Sequence, residues 1–295
     1  MPPTRTLLLT TLTMAAFAGN SLLCRAALKG TSIDAASFTA IRLVSGAVAL
    51  WLIVKATRSD GVGAGNWRSA IALFVYALAF SLAYVHLSTA TGALLFFAAV
   101  QATMIGYGLW SGERMWWLQV MGLVLALGGL VGLLLPGLSA PPILDAALML
   151  GAGVAWGVYS LRGKGPGNPV RVTAGNFLRA ALIASTLGLL FLSRERPSMA
   201  AAGVGLAVAS GALASGVGYA IWYRVLPSLR ATTAASVQLS VPVIAALGGV
   251  MFLGESVTVR LVLASLAILG GIALVVLERR PMPPGRIRGA SGSAS

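Results

Sequence analysis

The sequence predicts an all-α membrane protein with ten transmembrane helices in two inverted five-helix repeats. First, 58% of its 295 residues are hydrophobic and only 9% are charged, against roughly 25% charged residues in soluble domains. Second, the apolar residues fall into ten runs, each close to the length of about 20 residues that crosses a bilayer. Third, the two halves of the chain match each other in sequence, which indicates an internal repeat.

The breaks between apolar runs place the predicted spans near 7–24, 33–54, 69–87, 91–111, 115–135, 143–161, 172–192, 199–223, 230–252 and 257–277. The first run also has features of a cleavable signal peptide. We interpret it as a retained span, because the repeat requires a helix there. The strongest break is the linker at 135–142, where Pro136, Pro141 and Pro142 would stop a helix.

The repeat rests on pairs of residues at a near-constant offset. A shift of 142 residues aligns Gly112-Glu113 with Gly254-Glu255 and Gly128-Gly129 with Gly270-Gly271, and slightly smaller shifts align Arg42 with Arg179 and Phe17 with Trp156. We predict a first repeat at 1–137, a second at 138–278 and a disordered basic cytoplasmic tail at 279–295. Because five is odd, the second repeat would enter the membrane from the opposite side.

The distribution of Lys and Arg predicts the orientation. Placing both termini in the cytoplasm leaves five basic residues outside: Arg25, Lys29, Arg194, Arg196 and Arg260. Fourteen others then lie inside, and Arg42 and Arg179 fall within spans. Cytoplasmic loops carry the excess of Lys and Arg in membrane proteins. We therefore expect a multi-pass protein of the cell's inner membrane with both ends cytoplasmic.

Several other classes of function fit the composition poorly. The net charge of +14 would suggest nucleic acid in a soluble protein, but membrane topology explains it here, so we expect no nucleic-acid partner. A single cysteine, Cys24, allows no intrachain disulfide, and we expect no cofactor and no metal. All seven acidic residues fall at predicted helix ends or loops. That pattern argues against a proton relay built on buried carboxylates.

Two five-helix repeats, each with Gly-Glu followed by an apolar helix carrying Gly-Gly, resemble the drug/metabolite transporter superfamily. The sequence is most similar to its EamA-type exporters, which include exporters of amino acids and of aromatic amino acids. The resemblance implies a substrate cavity between the repeats, lined by helices 1, 3, 4, 6, 8 and 9, with helices 5 and 10 packed together at the periphery. This sequence departs from the family pattern in one place: helix 9 carries Pro242, whereas the matching position of helix 4 is Val100.

Candidate substrate-binding residues are aromatic and polar side chains on the helices that the resemblance assigns to the cavity. Tyr76, Phe80 and Tyr84 recur every four residues and form one helical stripe. The full set is Asn20, Tyr76, Phe80, Tyr84, Phe97, Gln101, Trp156, Tyr159, Tyr219, Trp222, Gln238 and Ser240. The rings fit either a site or helix packing, whereas amides facing lipid would be costly.

The intramembrane arginines and the single histidine have two interpretations each. Arg42 and Arg179 would either extend toward head groups or attract a substrate carboxylate, and the first is favoured because helices 2 and 7 lie outside the implied cavity lining. His86 would be either a satisfied helix-end residue or a pH sensor. Glycines on helix 5, namely Gly122, Gly128, Gly129 and Gly132, would allow close helix packing.

The sequence therefore predicts a secondary transporter that exports small organic solutes, with apolar or aromatic amino acids as leading candidates, by alternating access. A drug or other metabolite exporter of the same superfamily is the alternative. A membrane-embedded enzyme is a third, less favoured interpretation, because it would need clustered acids, histidines or an activated nucleophile. The expected partners are the small-molecule substrate and membrane lipid, and a monomer is the simplest oligomeric state.

Overall fold

A computed structural model describes residues 3–57, 64–87, 89–112, 115–134, 142–163, 168–192, 199–229, 231–241 and 259–277, together with 243, 244, 247 and 251. The first half contains helices α1 (Pro3–Gly30), α2 (Ala35–Ala56), α3 (Trp67–His86), α4 (Thr89–Trp110) and α5 (Trp117–Leu134). The second contains α6 (Ile143–Arg162), α7 (Pro169–Leu192), α8 (Ala201–Ser228), α9 (Ala231–Gln238) and α10 (Val259–Leu277). The described residues form no strand, which confirms the all-α prediction.

Five of these helices are long and apolar enough to cross a membrane: α1 from Thr4 onward, α2, α3, α6 and α8. Shorter apolar stretches lie in α4, α5 and α10. Large apolar side chains are exposed on the outer surface, as expected where lipid is the solvent, and they include Leu52, Val124, Leu182 and Leu266. Pro242, Gly254 and Glu255 lie outside the described residues.

Helix starts follow from local capping chemistry. The carboxylate of Asp34 accepts a hydrogen bond of 2.8 Å from the backbone N–H of Ser37, which caps α2. Asn66 caps α3 in the same way through the N–H of Ser69, at 2.9 Å. Each cap satisfies a backbone donor that the first helical turn leaves unpaired. The caps at Asp34 and Asn66 therefore explain why α2 and α3 begin where they do.

The most extensive helix contacts join the two halves of the chain. α3 packs on α6, α2 packs on both α7 and α8, α1 packs along α8, and α4 contacts α6 and α9. α5 and α10 pack against each other, as the family resemblance implied. This arrangement brings α1, α3, α6 and α8 together at the centre of the molecule.

Glycine allows the close approach of α5 and α10. A Cβ on Gly122 would lie 2.6 Å from the carbonyl oxygen of Gly271, and a Cβ on Gly129 would lie 2.8 Å from Cβ of Ala267. By contrast, a Cβ built on Gly128 or Gly132 would have no atom of the described residues within 4 Å. The prediction of close packing is therefore confirmed for Gly122 and Gly129, whereas the described residues show no such contact at Gly128 or Gly132.

Candidate functional site

Four aromatic rings, one from each of the four central helices, meet at the centre of the molecule. They are Phe17 of α1, Tyr76 of α3, Trp156 of α6 and Tyr219 of α8, and we call them the central aromatic cluster. The ring centroid of Trp156 lies 5.3 Å from that of Phe17, 5.1 Å from that of Tyr76 and 4.9 Å from that of Tyr219. These separations lie in the range of favourable aromatic pairs. Each half of the chain contributes two rings.

Further rings extend the cluster along both α3 and α8. On α3, the centroid of Phe80 lies 5.7 Å from that of Tyr76 and 4.7 Å from that of Tyr84, so the predicted stripe is present. Toward the other end of the cluster, the ring centroid of Tyr159 lies 5.3 Å from that of Tyr223. The ring centroid of Trp222 lies 5.9 Å from that of Phe17. Trp222 is fully buried, and its indole N–H has no hydrogen-bond partner within the described residues.

The buried amides connect helices to one another. The indole Nε1 of Trp156 donates a hydrogen bond of 2.7 Å to Oε1 of Gln238, which joins α6 to α9. Nε2 of Gln101 donates to the carbonyl oxygen of Ala235 at 2.7 Å, which joins α4 to α9. Ser210 of α8 donates to Oδ1 of Asn20 on α1 at 2.6 Å. All three predicted amides are buried, and each makes at least one hydrogen bond across helices. Such bonds offset the cost of burying an amide, although Oε1 of Gln101 has no partner within the described residues.

Every predicted site residue is buried, but two lie apart from the central contacts. The hydroxyl of Ser240 bonds to the carbonyl of Val237 on its own segment, at 2.7 Å. The ring of Phe97 makes its ring contact with Phe96, at 5.4 Å, rather than with the central cluster. The remaining predicted residues either belong to the cluster, extend it or bond across the helices around it.

Arg42 of α2 lies against this cluster, and here the sequence-based preference is wrong. Its side chain is 1% exposed and does not extend toward a head group. Nε donates to the hydroxyl of Ser215 at 3.1 Å, and Nη2 donates to the hydroxyls of Tyr76 and Tyr219 at 2.8 and 3.5 Å. The side chain turns inward because α3 and α8 supply hydroxyl acceptors. The sequence of α2 alone does not reveal these partners.

The local geometry of α8 makes this contact possible. Residues Ser210–Val217 form a π-helical segment within α8, a distortion that is rare and often found at functional sites. Gly211 lies in this segment, and a Cβ there would collide with Ser45 and with the carbonyl of Arg42. The absent side chain lets α8 approach the backbone of α2, which brings Ser215 to Nε of Arg42.

The repeat partner of Arg42 has a different environment. Nη1 of Arg179 donates to the carbonyl oxygens of Ala64 and Gly175, at 3.2 and 2.9 Å. Its guanidinium carbon lies 5.8 Å from the ring centroid of Trp67. Backbone carbonyls thus satisfy this cation locally, as a structural role requires. The two arginines match in sequence but not in partners.

His86 ends α3, and its side chain is 66% exposed. Its Nδ1 lies 3.2 Å from a carboxylate oxygen of Asp145, near the start of α6. This contact fits the structural interpretation of a helix-end histidine. Within the described residues, no group of three His, Cys, Asp or Glu side chains is arranged to hold a metal ion.

Four residues at the centre did not belong to the predicted site: Phe17, Arg42, Phe177 and Ser215. The ring centroid of Phe177 on α7 lies 5.3 Å from that of Tyr219. Helix α7, like α2, therefore contacts the cluster. The repeat alignment of Phe17 with Trp156 was a usable signal, because these two rings are in contact. Nothing in the local sequence of Ser215 indicates its contact with a residue 173 positions earlier.

The profile of the EamA-like transporter family matches residues 144–277. An uncharacterised protein of Pseudomonas aeruginosa is 58% identical over 280 residues, which cover 95% of this chain and 97% of that protein. The chain belongs to the EamA-like transporter family. This membership confirms the predicted resemblance and places the protein among multi-pass membrane transporters.

Two other relatives of this EamA-like chain have names that include a substrate. The threonine/homoserine exporter RhtA of Escherichia coli is 34% identical over 140 residues, 46% of each chain. A probable terminal-alkyne amino-acid exporter of Streptantibioticus cattleyicolor is 28% identical over 284 residues, 90% of each chain. A protein crystal structure that is 21% identical in sequence has a TM-score of 0.75 and covers 91% of this chain and 98% of its own, which shows a shared fold.

Proposed function

We propose that this EamA-like protein exports amino acids with apolar or aromatic side chains as a secondary transporter. The central aromatic cluster is the observation that carries the proposal. It combines rings from both halves of the chain at the centre of the helix bundle, and Gln238 bonds to its Trp156. Asn20 and Gln101 are buried on the neighbouring helices α1 and α4. Small-molecule sites are typically lined by apolar and aromatic groups with a few placed polar groups.

Helix packing supports an inverted repeat with boundaries near 1–137 and 138–278. Exchanging the halves turns the pair α3–α6 into the pair α8–α1, and both pairs are packed. The pairs α2–α7, α4–α9 and α5–α10 map onto themselves and are also packed. Gly129 and Gly271, which match in the repeat, both lie where α5 meets α10, whereas their neighbours Gly128 and Gly270 are open.

This symmetry supports transport by alternating access, in which one half rocks against the other around a central site. α3 and α6 are antiparallel, since His86 at the end of α3 contacts Asp145 at the start of α6. At the opposite ends, Arg162 of α6 donates to Ser69 and Asn66 of α3, at 2.9 and 3.1 Å. With both termini cytoplasmic, the His86–Asp145 contact faces outward and the Arg162 contacts face the cytoplasm.

The substrate class follows from the relatives together with the chemistry of the centre. The two named relatives are called exporters of amino acids. Rings such as Trp156 and Phe17 would pack against an apolar side chain, while the bonded amides offer polar groups to the backbone portion of an amino acid. Membership of a transporter family favours transport over catalysis.

Counterflow into phospholipid vesicles tests the proposal. Vesicles with the purified protein, preloaded with an unlabelled solute, would receive the same labelled solute from a panel of L-threonine, L-leucine, L-phenylalanine, a nucleobase and an organic cation. We expect accumulation of amino acids without chemical change, and none in protein-free vesicles. Accumulation of the organic cation alone would instead support a drug exporter, and a modified product would indicate an enzyme.

A further inference from the structure

We propose that the guanidinium of Arg42 binds the carboxylate of the transported solute, an inference that rests on the proposed export of amino acids and names the group that holds one end of them. Arg42 carries a charge at the centre of the protein, where its side chain is 1% exposed. Burial of an ion without a counter-charge is strongly unfavourable. A cost of this kind at an internal position of a transporter points to a function.

No carboxylate of the described residues compensates this charge. The described acids are Asp34, which caps α2, and Asp145, which pairs with His86. The other five acids, Asp60, Glu113, Glu195, Glu255 and Glu278, lie outside the described residues, and by sequence each falls at a helix end or loop. The partners of Arg42 are neutral hydroxyls, which stabilise its charge less than a carboxylate would.

The guanidinium also has unused hydrogen-bond donors. Nη1 is buried and has no acceptor within the described residues, so both of its N–H groups are available. Nη2 reaches Tyr219 only at 3.5 Å, the longest of the three hydroxyl contacts. A carboxylate that approached Nη1 and replaced the Tyr219 hydroxyl would be held by both terminal nitrogens, the two-point geometry that arginine favours.

The remaining contacts of Arg42 would keep it oriented during this exchange. Ser215 holds Nε at 3.1 Å, and Tyr76 holds Nη2 at 2.8 Å with its ring centroid 5.3 Å from the guanidinium carbon. Tyr219 is the contact that would be released, and it lies 4.9 Å from Trp156. Carboxylate binding would thus displace a ring of the central aromatic cluster, next to the rings proposed to pack on the substrate side chain.

Arg179 is a natural control, because it shares the repeat position and the charge. Its Nη1 is fully engaged with backbone carbonyls of Ala64 and Gly175. Its side chain is half-buried rather than enclosed, and it stacks near Trp67 rather than the central cluster. An intramembrane arginine in this chain therefore does not need to bind substrate, and the distinction rests on the free donors of Arg42.

The test measures how strongly each variant prefers an amino acid over its carboxamide. Purified wild type, Arg42→Gln, Arg42→Lys and Arg179→Gln are placed in vesicles, and counterflow of labelled L-leucine is inhibited with unlabelled L-leucine or L-leucinamide. In the wild type and in Arg179→Gln we expect the acid to inhibit at a concentration at least about tenfold lower than the amide. That ratio is expected from loss of a charge-assisted hydrogen bond.

Arg42→Gln is expected to lower the acid's potency to that of the amide and to leave the amide's potency unchanged. Arg42→Lys should reduce the ratio and keep part of it, because an ammonium supplies the charge without the two-point fork. The ratio is taken within one variant, so the amount of active protein cancels. Thermal stabilisation of detergent-solubilised protein by L-leucine, absent with L-leucinamide, gives a second readout for any variant that no longer transports.

The experiment distinguishes a failure of the Arg42 contact from a failure of amino-acid export. A wild-type ratio in folded Arg42→Gln would overturn the role of Arg42 and leave amino-acid export standing. Transport of labelled propionate but not of amino acids, with loss in Arg42→Gln, would overturn amino-acid export and support the carboxylate contact. Counterflow restricted to amides or cations, or no stabilisation and no flux with any carboxylate, would overturn both.

Discussion

Trp156 and Gln238 are joined by a buried hydrogen bond of 2.7 Å from the indole Nε1 to the side-chain Oε1. The bond crosses from α6 to α9 and orients the largest ring of the central aromatic cluster. Nε2 of the same glutamine reaches the sulfur of Met104 at 3.3 Å and the carbonyl of Ala234 at 3.2 Å. The indole is therefore fixed by its polar edge as well as by its ring contacts.

A double-mutant cycle on this pair is expected to be strongly non-additive. Trp156→Phe leaves Oε1 of Gln238 without its donor, and Gln238→Leu leaves the indole N–H without its acceptor, so each change should cost about 1–3 kcal/mol of unfolding free energy. The double variant removes both polar groups and should cost less than the sum. Unfolding of the four proteins in the same detergent measures this, and additive costs would show that the two side chains are not coupled.

Replacing Trp156 by alanine should change transport according to the size of the solute. Loss of ring packing worth about 0.5–1.5 kcal/mol predicts a two- to tenfold weaker apparent affinity for L-phenylalanine, with a smaller effect on L-threonine. Trp156→Phe should keep much of the affinity despite its lost hydrogen bond. Trp110→Ala is the control, since that ring is 86% exposed. Unchanged affinities in a stable Ala variant would remove Trp156 from the site.

Adjacent glycines on α5 should respond differently to the same substitution. Gly129→Val places a side chain against Ala264, Ala267 and Ile268 of α10, whereas Gly128→Val enters open space. Overpacking of this kind costs about 1–3 kcal/mol, so Gly129→Val should lower the melting temperature clearly more than Gly128→Val. Equal melting temperatures would contradict the close packing of α5 on α10.

Single cysteines at the two ends of α2 test the orientation. In a Cys24→Ser background, Ser32→Cys and Thr57→Cys place exposed thiols at opposite ends of the helix. The excess of basic residues in the loops assigned to the cytoplasm predicts that an impermeant thiol reagent labels Cys at 32, but not at 57, in intact cells. Permeabilised cells should label at both positions. The reverse pattern in intact cells would invert the topology.

Neutralising the described acids should leave flux largely intact. Asp34→Asn keeps the oxygen that caps α2, since asparagine is a good N-cap residue, whereas Asp34→Ala should cost about 1 kcal/mol of stability. Asp145→Asn removes a contact with a mostly exposed histidine, and exposed ion pairs are worth about 1 kcal/mol or less. Counterflow is measured for all three variants. Loss of flux in a folded Asn variant would reveal a carboxylate needed for transport.

The sequence predicted the helices well because lipid imposes a simple rule on them. Backbone groups in a bilayer must be bonded internally, so every long apolar run becomes a helix. Predicted bounds near 143–161 correspond to α6 at Ile143–Arg162, and those near 33–54 correspond to α2 at Ala35–Ala56. The family resemblance added which helices meet at the centre, and Tyr76, Trp156 and Tyr219 do meet there.

The sequence by itself determined the membrane class and the helical periodicity, since both depend on local hydrophobicity and spacing, and the family resemblance pointed to the helices that carry the buried candidates. Only the tertiary structure decided which candidates touch. Arg42 and Arg179 are equivalent by alignment, yet one is surrounded by hydroxyls from α3 and α8 and the other by backbone carbonyls. The physical reason is that hydrogen bonds such as that from Arg42 to Ser215 join residues 173 positions apart. Such contacts depend on how helices pack, and the packing turns on details such as the missing side chain at Gly211.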